Sequence, residues 1–220
     1  MWQFSEVVDG ITEACQVFET PITGGNVSFY NETFKEDIYP TPVIGIVGLI
    51  EDLRWVTNAS FKEHGDRIIL LESTSRTETI NLSEERALQV LVVSLIRYGL
   101  VRSAHDLSEG GFAVALTESC FSTIHRNAIG ARVCVPSNLE VCRDMFGEFP
   151  SRILVSTASG AEADKVLERT ARAGLVGTDV GEVGGPRLEF MYEDARAIDL
   201  SIEELEQSWR EGLENRPFFK

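Results

Sequence analysis

The sequence has few of the residue patterns that mark common enzyme sites. It contains only three histidines, His64, His105 and His125, and we can assemble no Ser–His–Asp or Cys–His catalytic set around them. It contains no G-x-x-x-x-G-K-[ST] loop, which excludes an ordinary P-loop kinase. No carboxylate pair stands out among the 35 Asp and Glu residues, and we interpret most of these as solvated surface groups.

Cysteines are few, and long apolar runs are absent. None of the four cysteines, Cys15, Cys120, Cys134 and Cys142, belongs to a C-x-x-C pair, and three lie inside apolar runs. This pattern indicates buried free thiols in a reducing cytoplasm, not a zinc site or a disulfide framework. No apolar run approaches the roughly 18 residues of a membrane helix, and no charged-then-apolar leader is present. We therefore expect a cytoplasmic protein with no membrane partner.

Basic residues are scarce relative to acidic ones. Lysine and arginine number 20 against 35 acidic residues, which gives a formal net charge of −15. Binding to nucleic acid or to an anionic membrane needs a basic face, so the sequence predicts neither partner. A phosphate ligand would have to arrive with Mg²⁺, or be held by backbone dipoles and arginines, because the overall field repels it. The apolar content of 43% is enough for a real core.

Hydrophobic periodicity predicts five helices and six strands in a mixed order. A mixed order of this kind favours an α+β sandwich over a doubly wound sheet. The predicted helices cover 3–18, 83–98, a segment that begins at Ser108 or Glu109, 161–173 and 201–214. The predicted strands cover 42–50, 67–71, 129–135, 152–157, 176–183 and 187–192.

Local signals set several of these boundaries. Ser83 is a plausible N-cap because acidic residues follow it in the first turn of the helix. Ser201 and Glu204 have the spacing of a capping box. Residues 184–186, Gly-Gly-Pro, predict a tight hairpin-like turn between the last two strands. The polar stretch 51–66 is the candidate domain boundary.

One glycine-containing stretch, residues 20–31, could bind a phosphate. Gly24 and Gly25 suit a positive φ or a close backbone approach, and such a turn can point several N–H groups at one anion. Asn26 adds a neutral oxygen suited to a hard cation, and Ser28 adds a hydroxyl donor. An ordinary surface turn is the alternative, and on local pattern alone it is the more common case.

A second stretch, residues 103–116, carries a His–Asp pair followed by two glycines. His105 and Asp106 are predicted to lie in a polar loop that leads into a helix of small residues. One interpretation is a ligand-facing loop at a helix N-terminus. The other is structural, with Asp106 as the helix cap and His105 as a hydrogen-bonded partner in a closely packed contact.

Three motifs together resemble one known family. They are TGGNVSFYNE at 23–32, PTPVIGIVGLI at 40–50 and HDLSEGG at 105–111. In this order they resemble the phosphoribosylformylglycinamidine synthases, whose synthetase subunit performs the fourth step of purine synthesis. The first two motifs are specific together, whereas the third recurs across the superfamily of aminoimidazole-ribonucleotide-synthetase-like enzymes. The resemblance covers essentially the whole chain.

The resemblance implies a domain plan. The family is a duplicated enzyme, and each half has an ATP-binding α/β domain followed by an α+β sandwich of the aminoimidazole ribonucleotide synthetase C-terminal type. Residues 1–50 would be the C-terminal part of the second, truncated ATP-binding domain, 51–65 a linker and 66–220 the C-terminal α+β domain. A helix that begins at Met1 with no lead-in fits such a truncation. The implied partners are the missing N-terminal part of the same chain, a glutaminase subunit and a small third subunit.

The resemblance also implies a reaction and three site residues. The family is an ATP-dependent carbon–nitrogen ligase that converts formylglycinamide ribonucleotide and ammonia to the amidine, with ATP and Mg²⁺. Gly25 would contact ATP, Asn26 would bind Mg²⁺ and Ser28 would contact the substrate. The family's catalytic histidine and ATP lysine belong to the first half, so we expect no catalytic residue in this chain and no activity from it alone. The alternatives are an aminoimidazole ribonucleotide synthetase, a thiamine-phosphate kinase type, or a non-catalytic nucleotide-holding scaffold.

Overall fold

A computed structural model describes residues 2–28, 32–75, 77–121, 128–134, 141–158, 160–192 and 195–212. The chain divides into two compact units, Met1–Glu51 and Asp52–Lys220, which we call unit 1 and unit 2. No described helix is long and apolar enough to cross a membrane.

In its described residues, 2–28 and 32–51, unit 1 consists of one helix, one small hairpin and segments without regular secondary structure. Helix α1 spans Trp2–Val17 and confirms the predicted helix at 3–18. Strands β1, Glu32–Thr33, and β2, Glu36–Asp37, pair antiparallel. No described residue of unit 1 is buried, so its apolar side chains have no core of their own.

The strand predicted at 42–50 is wrong for this structure. These residues have no regular secondary structure and are exposed along their whole length. A strand is stable only when a neighbouring strand satisfies its backbone N–H and C=O groups. The described residues of unit 1 offer this segment no such neighbour.

Unit 2 is built on a seven-stranded mixed sheet, which confirms the α+β fold class. The strand order is β4-β6-β3-β7-β5-β8-β9, and every adjacent pair is antiparallel except β5 with β8. The elements are a 3₁₀ turn Leu53–Trp55, β3 Arg67–Glu72, α2 Leu82–Arg97, β4 Ser103–Asp106, α3 Gly111–Cys120, β5 Ala131–Cys134, α4 Val141–Phe146, β6 Arg152–Thr157, α5 Gly160–Arg172, β7 Val176–Val183, β8 Arg187–Tyr192, β9 Ala195–Ser201 and α6 Ile202–Glu211.

Strand β3 is the centre of the core because both of its faces are covered. Ile68 and Leu70 pack in one hydrophobic cluster with Phe112 of α3. Ile69 and Leu71 pack in a second cluster, which contains apolar side chains of α2 and α5. A strand buried on both faces reads as a continuous apolar run, which is why this segment was easily predicted.

The hairpin predicted at 184–186 is wrong. Strands β7 and β8 do not pair with each other, because β5 lies between them, antiparallel to β7 and parallel to β8. The turn is instead fastened to Gly130, which donates to the Gly185 carbonyl at 2.8 Å and accepts from the Gly184 N–H at 2.7 Å. A Cβ at Gly130 would lie 2.1 Å from the Arg187 carbonyl oxygen, so this close approach requires glycine.

Two helix ends test the predicted caps. The capping box of Ser201 and Glu204 at the start of α6 is confirmed. For α2 the predicted cap Ser83 is wrong, because the N-cap is Asn81. The Asn81 side-chain oxygen accepts from the N–H groups of Ser83 at 3.1 Å and Glu84 at 3.3 Å.

Replacing Asn81 by alanine should therefore lower the free energy of unfolding by about 1 kcal/mol. The matched control is Ser83→Ala, which removes only one exposed hydroxyl contact to Asn81 and should cost less than about 0.5 kcal/mol. Urea unfolding of both variants measures the difference. A larger loss for Ser83→Ala than for Asn81→Ala would contradict the assignment of the cap.

Candidate functional site

The glycine stretch of unit 1 is exposed throughout its described part. Residues 20–28 form no regular structure, and Gly24 and Gly25 do not have the positive φ that a tight nest would use. A Cβ at either glycine would meet nothing within 4 Å. Asn26 and Ser28 are likewise exposed, and residues 29–31 lie outside the described residues. The stretch is accessible to a ligand, but its own described residues do not form the predicted nest.

The His–Asp motif lies in unit 2 on a strand and not in the predicted loop. His105 and Asp106 belong to β4, which pairs with β6 at the edge of the sheet. The His105 Nδ1 donates to the Asp106 backbone carbonyl at 2.7 Å, and its Nε2 lies 3.0 Å from the Glu118 carboxylate. His125 lies outside the described residues.

Glu118 links this motif to the last helix. Its second carboxylate oxygen accepts from the Trp209 indole N–H at 2.9 Å, and the Trp209 ring lies against Phe121. His105, Glu118 and Trp209 thus connect β4, α3 and α6 through one polar network. This geometry favours the structural interpretation of His105 over the ligand-facing one.

The double glycine of the motif also has a structural explanation. Helix α3 begins at Gly111 with Gly110 as its N-cap, so the predicted starts at Ser108 or Glu109, and Asp106 as a cap, are wrong. Both glycines have positive φ, at 76° and 65°. The Gly110 N–H donates to a Glu148 carboxylate oxygen at 2.9 Å, so an acidic side chain already occupies this helix N-terminus.

Gly111→Ala should destabilise unit 2 strongly. Its Cβ would lie 2.7 Å from the Gly147 carbonyl oxygen, and the residue would be forced into the left-handed region. We expect a loss of about 3 kcal/mol or more in the free energy of unfolding. The control is Gly99→Ala, where φ is 66° but nothing lies within 4 Å, and where about 1–2 kcal/mol is expected. Equal losses in the two variants, measured by urea unfolding, would contradict the packing argument.

A cavity on the sheet of unit 2 holds paired charges. It has a volume of about 680 Å³ and is lined by β5, β7, β8 and the Gly184–Gly185–Pro186 turn. Each of its arginines contacts a carboxylate. The pairs are Arg67 with Asp179, Arg132 with Glu189, and Arg187 with Asp199.

These pairings decide what the cavity can do. The hydrogen bond from Arg132 lowers the pKa of Glu189, and that from Arg187 lowers the pKa of Asp199. The three guanidinium groups are already paired with carboxylates, and a phosphate would have to displace these carboxylates. We do not assign catalysis to this cavity.

Thiol and metal chemistry receive little support from the described residues. The four cysteines are unbonded, and burial raises the pKa of the Cys120 thiol to about 12. The expectation of buried thiols is wrong for Cys134 and Cys142, which are exposed because they lie on the open side of a short strand and on a short helix. In the part of the chain that the structure describes, no three His, Cys, Asp or Glu side chains cluster in a way that could hold a metal ion.

Family comparisons match both units. A family model described as AIR synthase related protein, C-terminal domain, matches residues 63–193. The corresponding N-terminal domain model matches residues 1–50.

Individual relatives extend this match over almost the whole chain. Phosphoribosylformylglycinamidine synthase subunit PurL from Moorella thermoacetica is 38% identical over 96% of this chain. The same subunit from Alkaliphilus metalliredigens is 39% identical over 97%. The chain spans only 31% of the length of each relative. Among solved structures, Thermotoga maritima PurL complexed with ATP matches 69% of this chain and 27% of its own, at 25% identity and a TM-score of 0.60.

Proposed function

The chain belongs to the AIR synthase related protein family, and from this we propose that it is part of a phosphoribosylformylglycinamidine synthase. The observation that carries the proposal is the 38% identity to PurL over 96% of the chain, a span that includes all three motifs. Because the chain covers 31% of that relative, the activity is assigned to the complete enzyme and not to these residues alone.

The reaction of the complete enzyme is the ATP-dependent formation of an amidine from an amide. ATP phosphorylates the amide oxygen of formylglycinamide ribonucleotide, and ammonia derived from glutamine then displaces phosphate, leaving ADP. Catalysis of this kind depends on positioning and on neutralising the charge of the transferred phosphoryl group. The PurL relatives and the ATP complex of Thermotoga maritima PurL support the use of ATP.

Three residues of unit 1 are proposed to take part. Gly25 would contact the nucleotide, where the missing Cβ allows phosphate oxygens to approach the backbone. Asn26 would supply one neutral oxygen to Mg²⁺, which prefers oxygen ligands and usually completes its shell with phosphates and water. Ser28 would donate its hydroxyl to the substrate. Gly25, Asn26 and Ser28 are exposed, so each can reach a ligand from unit 1.

The domain plan follows from the same proposal. Residues 1–50 would belong to an ATP-binding domain, 51–65 would connect, and 66–220 would form the C-terminal α+β domain. The remaining part of the synthetase, a glutaminase subunit and a small third subunit would be partners in the cytoplasm. The net charge of −15 supports Mg²⁺ as the carrier of any phosphate ligand.

Titration with MgADP and with formylglycinamide ribonucleotide tests this proposal against a nucleotide-holding scaffold. The protein to be titrated is a fusion of two parts, which we call the chimera. Its first part is the segment of Moorella thermoacetica PurL that precedes the region aligned with this chain, and its second part is this chain. A synthetase should bind both ligands, and each should change the affinity for the other. Nucleotide binding that the substrate leaves unaltered would favour the scaffold and contradict the proposal.

A further inference from the structure

Residues 52–66 open unit 2 and lead from unit 1 to the strand β3. We call this segment, which the structure describes throughout, the strap. Apart from the 3₁₀ turn Leu53–Trp55, it has no helical or strand structure. Ser60, Phe61 and Asp66 are nevertheless buried. A buried segment of this kind must be held by the elements that it crosses, because its backbone groups need partners.

The first part of the strap contacts the end of α2 and the edge of the sheet. The Arg97 guanidinium at the C-terminus of α2 lies 4.8 Å from the centre of the Trp55 ring, which is a cation–π contact. Three residues further on, the Asn58 carbonyl accepts from the Ala104 N–H at 3.2 Å. Ala104 belongs to β4, which lies at one end of the described sheet. At this amide the strap takes the place of a neighbouring strand.

The middle of the strap is anchored in the core. Phe61 is 4% exposed and belongs to the hydrophobic cluster that covers one face of β3. Its N–H donates to the Ser119 carbonyl of α3 at 2.8 Å. Further along, the Gly65 N–H donates to the Val183 carbonyl of β7 at 2.8 Å. These contacts fasten the strap to α3 and to β7.

An ion pair connects the end of the strap to the residue that precedes β4. The Arg102 Nη1 donates to the Asp66 Oδ1 at 2.8 Å, and the Asp66 side chain is 2% exposed. Solvent screens a pair with a buried partner less than it screens a surface pair. Because Asn58 contacts Ala104 two residues later, the strap holds the β4 segment at two points.

Strand β4 is short and lies at the edge of the sheet. It has four residues, Ser103–Asp106, and β6 is its strand neighbour in the described sheet. Such edge elements open more readily than central strands like β3. β4 carries His105 and Asp106, the first two residues of the motif at 105–111. The contacts that hold β4 therefore also position this motif.

We propose that the strap and β4 are one cooperative element, which opens together while β3, β6 and β7 stay folded. The strap directly follows unit 1 in the chain, so a displacement of its first residues would reach His105 and Asp106 without unfolding the core. Closing the strap fixes the motif, and opening the strap releases it. All the contacts involved lie within unit 2, so the proposal does not depend on the proposed function.

Native-state hydrogen exchange of the whole chain, followed by NMR, tests the proposal. The strap amides of Phe61 and Gly65 should have protection factors within about threefold of those of Arg102 and Leu107, whose N–H groups donate to β6 carbonyls on either side of β4. The amide of Leu70, in the centre of β3, should exchange at least about 10-fold more slowly. Equal protection of all five amides would overturn the proposal, because the strap and β4 would then open only with the whole of unit 2.

Trp55→Ala separates a cooperative element from independent fraying of β4. The change removes the ring that Arg97 contacts and loosens the start of the strap. Exchange at Gly65 and at Leu107 should become faster by the same factor, about 5–10-fold, although neither residue lies next to Trp55 in the chain. Acceleration at Gly65 with Leu107 unchanged would overturn the proposal, as would no change at either residue.

Two further variants make this test specific. Tyr98→Ala is the matched control, because it removes another cation–π contact, with Arg169 at 4.3 Å, outside the strap. It should leave exchange at Gly65 and Leu107 within about twofold of the unsubstituted chain. Trp55→Phe keeps an aromatic ring and should accelerate both amides equally, by less than about threefold. If Trp55→Ala does not fold, unequal acceleration in Trp55→Phe would overturn the proposal.

Discussion

Replacing Arg152 by leucine should lower the free energy of unfolding by about 3–5 kcal/mol, because it removes the guanidinium that pairs with a buried carboxylate. The Arg152 Nε lies 3.2 Å from a Glu72 carboxylate oxygen, and the two side chains are 3% and 4% exposed. They face each other across β3 and β6, in the register that pairs Glu72 with Arg152. The Arg152 guanidinium also lies 5.9 Å from the centre of the Phe149 ring.

Two further variants separate this effect from a general loss of packing. Arg172→Leu breaks an exposed pair with Glu168 on α5 and should cost no more than about 0.5 kcal/mol. The double variant Glu72→Leu with Arg152→Leu removes both charges and should recover most of the loss. Urea unfolding followed by circular dichroism measures all three. A double variant no more stable than Arg152→Leu would show that the ion pair is not the cause.

Asn26→Ala in the chimera should lower the turnover number by about 100-fold or more if Asn26 holds Mg²⁺ as proposed, because the metal ion would neutralise charge on the transferred phosphoryl group. Excess Mg²⁺ should recover part of this loss, since a weakened site fills at higher metal concentration. The control is Thr41→Ala. This change removes an exposed hydroxyl that donates a hydrogen bond to the Tyr39 carbonyl. Turnover of Asn26→Ala within threefold of the unsubstituted chimera would remove Asn26 from the metal site.

Most of unit 2 follows from the sequence because its elements bury their own apolar residues. The strands at 67–72 and 152–157 and the helix at 160–172 were predicted within one residue. Their hydrophobic periods reflect a core that this chain itself completes. The pairing of the strands could not be predicted, since the insertion of β5 between β7 and β8 depends on contacts of Gly130 that are remote in sequence.

Strand β9 and helix α4 escaped prediction for local reasons. Strand β9 carries Arg196 and Asp199, which form an ion pair with each other. These charged residues interrupt the alternation of apolar and polar side chains that would indicate a strand. Helix α4 has six residues, fewer than two turns, and gives no measurable period. The N-cap Ser201 was predicted correctly because a capping side chain and a glutamate three residues later occur together. The N-cap of α2 was missed because Asn81 and Ser83 are both capping residue types close to the helix start.

For the candidate site, too, the sequence predicted some features and not others. The glycine stretch was recognised through its residue types, but residue types alone do not determine its backbone conformation, which has no regular structure over 20–28. The His–Asp motif has a contact-based explanation in His105, Glu118 and Trp209, and none of these distances could be read from the sequence. A charged side chain near a helix start is thus better explained here by packing than by ligand binding.

Amidine formation by the chain alone and by the chimera tests the central claim most directly. Each protein is supplied with formylglycinamide ribonucleotide, MgATP and ammonium chloride, and the product and ADP are measured together. We predict no amidine from the chain alone, and amidine with equimolar ADP from the chimera. Turnover by the isolated chain would contradict this, as would a folded chimera that binds both nucleotide and formylglycinamide ribonucleotide and still forms no amidine.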